Sequence, residues 1–391
     1  MPSVSKTSPV TGNPVPDDFI HSSSLNFQDT KGRTLLLRGV NLSGGAKAPH
    51  NQPSWQQAGF WEEAEAGRGD FVGRPLNLKD GSADVHLARL RAWGYNMLRY
   101  VFTWEAIEHE GPGKYDVEYL DYVVEVLQKC KEYGFRVFMD PHQDVVSYLL
   151  NRVQEGADRQ WSRFSGGSGA PLWTLYACGI DPQGMNATMA ALVHCDWPTK
   201  AEPHPSTFPG MIWGTNYTRL VSETVFTLFF GGKVFAPKCI IDGKNIQDYL
   251  QEHFLNAVGA LGKKIAEAGG LHESCVIGWD SMNEPGEGLI GQKEIGIVPK
   301  DRQLKKGPTA SPIQGMKLGM GEKQELDVWD FGALGPKMSG TQVIDPKGQK
   351  VWLAAEEEES RGGGKWGWKR GEEWKMGTCS MSYSLSILVP F

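Results

Sequence analysis

The stretch Ser274-Cys275-Val276-Ile277-Gly278-Trp279-Asp280-Ser281-Met282-Asn283-Glu284-Pro285 decides how this chain is read. Its first six residues predict a short buried strand. The strand runs out into an amide beside a carboxylic acid, and a proline then stops it. The segment before it predicts a helix. Asn245 is the cap, Ile246, Tyr249, Leu250, Phe254, Val258, Leu261 and Ile265 form one stripe, and Gly269-Gly270 ends it.

The same unit recurs towards the N-terminus. Arg38–Gly44 reads as a first strand, preceded by a small hairpin over Leu25–Leu37 that turns at Asp29–Gly32. Ser82 caps a helix expected to bury Val85, Leu87 and Leu90 and to stop at Gly94. Asn96–Phe102 is a second strand, with Thr103-Trp104-Glu105 at its end. Asp116 caps a helix carrying Leu120, Val123, Val124 and Leu127 and closing at Gly134; Arg136–Asp140 is a third strand, followed by Pro141-His142-Gln143-Asp144. Alternating strands and helices with polar strand ends belong to parallel α/β architectures. Chemistry-bearing residues at the ends of strands two, three and four favour a (β/α)₈ barrel, whose sites are assembled from several strand ends. A dinucleotide-binding doubly wound sheet would place a glycine-rich turn after its first strand, and Asn41-Leu42-Ser43-Gly44-Gly45 is not that fingerprint.

The remaining sequence divides unevenly. Residues 1–20 are Ser/Pro/Thr-rich and read as a disordered N-terminus. Residues 21–285 hold the four strand–helix units, with an aromatic-rich insertion at 145–240 that carries Trp161, Trp173, Trp197 and Trp213. That insertion reads either as a lid or as a self-packed subdomain. From Gly286 to Phe391 the alternation is lost, and this stretch is expected to be an insertion loop and an aberrant or disordered tail. Four further units would need roughly 120 residues at about 30 each, more than remain after Pro285. The expectation is therefore an incomplete barrel, about the first four units of eight.

Composition excludes several classes. The 391 residues are 40% hydrophobic and 22% charged, with net charge −6, which argues against a nucleic-acid partner. No apolar core of signal-peptide length opens the chain and no run reaches membrane-span length, so a cytoplasmic location is expected. The scattered cysteines 130, 178, 195, 239, 275 and 379 read as reduced thiols, and the Asn41, Asn186 and Asn216 acceptor frames as chance. Cys178, His194, Cys195 and His204 match no common zinc module. Gly362-Gly363-Gly364-Lys365-Trp366-Gly367 fits a phosphate-loop pattern in letters only and is expected to be flexible. No cofactor is implied.

Glu284 is the candidate proton donor. A carboxyl at a strand end in a water-poor pocket stays protonated near neutral pH and can donate to a glycosidic oxygen. Asn283 can hydrogen-bond a sugar hydroxyl. Arg99 lies within an apolar strand, where an unpaired charge is costly, and would orient a catalytic carboxylate. His142 occupies the matching rim position on the third strand. An inverting reaction with Asp140 or Asp144 as base lacks motif support.

Together, Arg38–Gly44, Asn96–Arg99, Asp140–Asp144 and Trp279–Pro285 resemble glycoside hydrolase family 5, in the fungal endoglycoceramidase-related branch of glucosylceramidases and steryl-β-glucosidases. The resemblance covers roughly residues 20–378. It implies a (β/α)₈ barrel and retaining hydrolysis of a β-glucoside with a lipid aglycone, such as a steryl β-glucoside or glucosylceramide. Glu284 would be the acid/base, Asn283 the partner of the sugar 2-hydroxyl, and Arg99 and His142 substrate-site supports. The implied partner is a glucoside or glycolipid, with room for transient contact with a membrane surface. The family's nucleophile comes from a seventh strand, and neither Glu356–Glu359 nor Glu372 and Glu373 stand on one. The nucleophile is thus expected to be missing from a C-terminally truncated chain. The alternative is an inactive product or a glucoside-binding pseudoenzyme.

Overall fold

The computed structural model describes residues 5–23, 25–42, 73–142, 169–192, 215–300, 302 and 304–371. The strands and helices that position the site run, in chain order, β1 (Gly39–Leu42), α1 (Ser82–Ala92), β2 (Met97–Phe102), α2 (Trp104–Glu108), α3 (Val117–Glu132), β3 (Arg136–Pro141), α4 (Leu172–Ala177), α5 (Leu220–Phe235), α6 (Ile246–Glu267), α7 (Leu271–Ser274) and β4 (Val276–Trp279). The four strands form one parallel sheet in sequence order, with Arg99 beside Asn41 on one neighbour and Phe138 on the other. Sequential parallel strands joined through helices are the first four units of a (β/α)₈ barrel.

The caps act as read. Asp116 accepts from Tyr119 N at 2.8 Å, Asn245 accepts from Gln247 N at 3.0 Å, and Gly94, Gly134, Gly269 and Gly270 all take positive φ. Helix α1 departs from expectation. Gly81, in the left-handed region, stands at its N-cap, and Asp80 accepts from Ser82 N. The buried side is Ala83 and Leu87, whereas Val85 is exposed.

Alternation gives the sheet two unlike faces. Leu98, Tyr100, Phe102, Val137 and Met139 are buried against the helices, where burial also pushes the Tyr100, Tyr119 and Tyr122 hydroxyls well up from their ordinary range. The other face carries exposed Asn41, half-buried Met97, Arg99 and Phe138, and buried Val101 and Asp140. At β4 the register slips by one residue, with Val137 opposite Val276 but Phe138 opposite Gly278. The extra residue, Ile277, is exposed. The slip turns Trp279 onto Phe102, edge-on at 6.1 Å, and brings Asp280 to the Arg99 side.

Where described, the aromatic insertion packs into the main core and does not form a self-packed subdomain. Trp173 is fully buried among Trp104, Tyr249, His253 and Trp368. Trp161, Trp197 and Trp213 lie outside the described residues. Asn216 is buried, its amide bonded to both backbone groups of Leu192, so a glycan could not be attached to it there.

Three stretches carry order that local pattern did not predict. The N-terminus, expected to be disordered, forms a turn from Ser5 onward with Thr7 bridged to Pro14, and it docks Thr11 and Asn13 on Glu273 of α7. The expected hairpin turns at Asp29–Gly32 and is joined by the Gln28–Thr34 bridge and the Leu35 N–Phe27 O bond, but the regular strand pairing is of Asn26–Gln28 with His21–Ser23. Beyond Pro285, β5 (Gly307–Thr309), α8 (Pro312–Gly319), β6 (Gln324–Gly332) and β7 (Gly335–Ile344) build an antiparallel sheet with a capping-box helix.

The Gly362–Gly367 run, expected to be flexible, forms a helical turn, α9 (Gly363–Trp366). A Cβ on Gly364 would lie 2.2 Å from Glu359 O, and one on Gly363 2.5 Å from Trp368 O. The glycines therefore serve close packing, with Trp366 and Trp368 buried behind them.

Candidate active site

The site gathers at the C-terminal ends of β2, β3 and β4. Arg99 Nη2 donates to Asn283 Oδ1 at 2.7 Å and lies 3.0 Å from Asp140 Oδ2; its Nε lies 3.7 Å from Asp280 Oδ2. His142 Nδ1 is 2.6 Å from Asp140 Oδ2, and its Nε2 is 3.4 Å from Asn283 Nδ2. Backbone bonds hold these groups in place: His142 N donates to Phe102 O, Asp280 N to Met139 O and Asn283 N to Pro141 O. Arg99, His142 and Asn283, all predicted from sequence, thus meet in one cluster. Asp140 is fully buried, so it cannot act as a base on a water in the cleft; Asp144 lies outside the described residues.

Glu284 follows the cluster with φ of 39°, a left-handed conformation unusual for a non-glycine residue. Tyr217 Oη lies 3.4 Å from both its carbonyl oxygen and Oε2. Sequence reasoning passed over Tyr217, which sits in a loop without any periodic signal, and left Asp280 unassigned. The expected water-poor setting of Glu284 is not found: its side chain is exposed. β4 pairs on one side only among the described residues, so nothing there closes over the carboxyl. Glu284 stands instead on the wall of an open cavity of about 1100 Å³ lined by Tyr217, Phe230, Pro285, Ile290, Ile297 and Arg302. Glu287 and Glu294 also line it, both in the loop after Glu284.

No group of metal-ligating side chains occurs among the described residues. Cys178 is buried in the core, its thiol pushed up to about 12 by burial, while His194, Cys195 and His204 lie outside the described residues.

A four-unit parallel barrel segment with Asn-Glu at its fourth strand end, backed by an arginine and a histidine from the second and third, defines a glycosidase-type scaffold. Residues 71–174 match the family described as Cellulase (glycosyl hydrolase family 5). A glucosylceramidase of Aspergillus fumigatus is 50% identical over 355 residues, covering 90% of this chain and 43% of the relative. An ergosteryl-beta-glucosidase of Saccharomyces cerevisiae is 42% identical over 372 residues, 92% of this chain and 46% of the relative. The crystal structure of Cryptococcus neoformans sterylglucosidase 1 superposes with a TM-score of 0.88 at 62% identity, covering 98% of this chain and 51% of that one. The chain therefore spans about half the length of the curated relatives it matches.

Proposed function

We propose that this chain supplies the acid/base half of a retaining β-glucosidase site for glycolipids such as steryl β-glucosides or glucosylceramide. Glu284 is the proton donor and Asn283 the partner of the sugar 2-hydroxyl; Arg99 and His142 hold Asn283 in place. The nucleophilic carboxylate comes from outside this chain. The observation that carries the reading is the convergence of Arg99 and His142 on the Asn283 amide, one residue before Glu284. The apolar side chains on the wall of the adjoining cavity, Phe230, Ile290, Ile297 and Leu304, suit a lipid aglycone. A cytosolic setting fits the buried Cys130, Cys178, Cys239 and Cys275, none of which is in a disulfide. No helix among the described residues is long and apolar enough to cross a membrane.

The open position of Glu284 favours a second reading for the chain on its own, a glucoside-binding protein without turnover. Retaining chemistry needs a second carboxyl about 5 Å away across the sugar. Alone, the chain should hydrolyse an aryl β-glucoside no faster than its Glu284→Gln variant. Mixed with the C-terminal half of the A. fumigatus relative, it should release glucose from steryl glucoside or glucosylceramide, and Glu284→Gln should abolish that release. Turnover that survives Glu284→Gln would remove Glu284 from the mechanism. Turnover by the unmixed chain beyond its Gln variant would place the nucleophile within it.

A further inference from the structure

We propose that Asp140, which no role above uses, is a positioning residue that sets the His142 tautomer, so that the imidazole accepts from the Asn283 amide already turned by Arg99; the proposal rests on the glucosidase reading of the same site.

Donor and acceptor roles around the cluster are forced. A guanidinium has no acceptor, so Asn283 must turn Oδ1 to Arg99 Nη2 at 2.7 Å. That leaves Nδ2, a donor, facing His142 Nε2 at 3.4 Å, and Nε2 must offer its lone pair. The imidazole is then neutral with its proton on Nδ1, where Asp140 Oδ2 accepts it at 2.6 Å. Asp140 Oδ2 also lies 3.0 Å from Arg99 Nη2, so the four side chains close a ring. An imidazolium, or an Nε2–H imidazole, would set donor against donor at Asn283. Asp140 is the member that selects the tautomer, because a carboxylate can only accept.

Burial makes the selection firm. Asp140 is fully buried, and its other oxygen, Oδ1, has no hydrogen-bond partner among the described residues. The charge is offset by Arg99 alone among the contacts to Oδ2 that carry charge, and a buried carboxylate is tolerated on those terms. Pro141, Ala170, Phe226 and Met282 line, together with His142, a void of about 20 Å³ beside the ring.

Nitrogen-15 NMR of the full chain tests the assignment, with the His142 signals identified by their loss in His142→Gln. The wild type should show Nδ1 protonated and Nε2 unprotonated near neutral pH. In Asp140→Asn, whose amide can flip, the Nε2–H form should become the major one. A glucose-configured iminosugar should bind Asp140→Asn about tenfold more weakly by calorimetry, as expected for one lost charge-assisted hydrogen bond. An Nε2–H or doubly protonated His142 in the wild type overturns the proposal, and that measurement stands even if Asp140→Asn fails to fold. A folded Asp140→Asn that melts lower but keeps the Nδ1–H tautomer overturns it too, leaving Asp140 merely structural. The tautomer readout needs no sugar. A confirmed tautomer with no iminosugar binding by the wild type would therefore sink the glucosidase reading and leave the ring standing.

Discussion

Arg302 Nη2 donates to the carboxylate of Glu223, a buried residue in the first turn of α5, and so ties the loop beyond Glu284 to the helix that walls the cavity. Truncating one partner of a buried pair leaves the other charge uncompensated. Arg302→Gln should therefore lower stability by about 3–5 kcal/mol, read from urea denaturation. Pairing it with Glu223→Gln should recover most of that loss. A single-variant loss below about 1 kcal/mol would mean that water already reaches the pair.

The same carboxylate gives a pH signature. Burial raises the Glu223 carboxyl above its ordinary range, with Arg302 and Gln292 opposing. The folded chain then holds more protons than the unfolded one between the ordinary and the raised value. Its contribution to stability is present below the ordinary carboxylate range, about pH 4, and declines as pH rises through the raised value. Urea midpoints measured across that window should fall less steeply for Glu223→Gln than for wild type.

Glu273 should behave in the opposite sense. Burial alone would raise it, yet the Thr11 hydroxyl and Asn13 amide hold it below the ordinary glutamate range. The N-terminal dock is thus present above that range and is lost as pH falls through the lowered folded value. Thr11→Ala should cost about 1 kcal/mol and raise hydrogen exchange across residues 5–20 at neutral pH. Unchanged exchange there would show that the dock carries no load.

These contacts mark where sequence legibility stops. Asp116 and Asn245 were readable because a cap and its helix lie within a few residues of each other. The N-terminal dock joins Thr11 to a residue 262 positions on, a pairing no local pattern contains. β6 and β7 escaped notice because most of the hairpin is exposed, with Leu326 alone fully buried, so few of its residues had to alternate in polarity. In the site, residue identities were legible but their surroundings were not. Arg99, His142 and Asn283 meet as read, whereas the exposure of Glu284 depends on what lies beyond β4.

The packed glycines of the C-terminal turn can be tested singly. Gly364→Ala puts a methyl against the Glu359 backbone, which cannot swing aside as a side chain would. An overpacking cost of about 1–3 kcal/mol is expected, with Trp366 and Trp368 fluorescence shifting to the red. Gly367, at φ 91° with open space around a Cβ, should cost less and leave the spectrum unchanged, its penalty being backbone strain alone.

The open side of the sheet makes a last prediction. β4 pairs only with β3 among the described residues, Ile277 bulges out exposed, and the face bearing Met97 and Phe138 is only half covered. Unpaired strand edges next to apolar surface template pairing with another copy. Sedimentation of the purified chain should therefore show concentration-dependent association. Ile277→Lys, placing a charge where an incoming strand would lie, should shift the population towards monomer while leaving the far-UV spectrum unchanged. If the wild type sediments as a single monomeric species and melts cooperatively at high concentration, residues outside those described must cover the edge, and the carboxyl of Glu284 would then have to be reconsidered as part of a closed pocket.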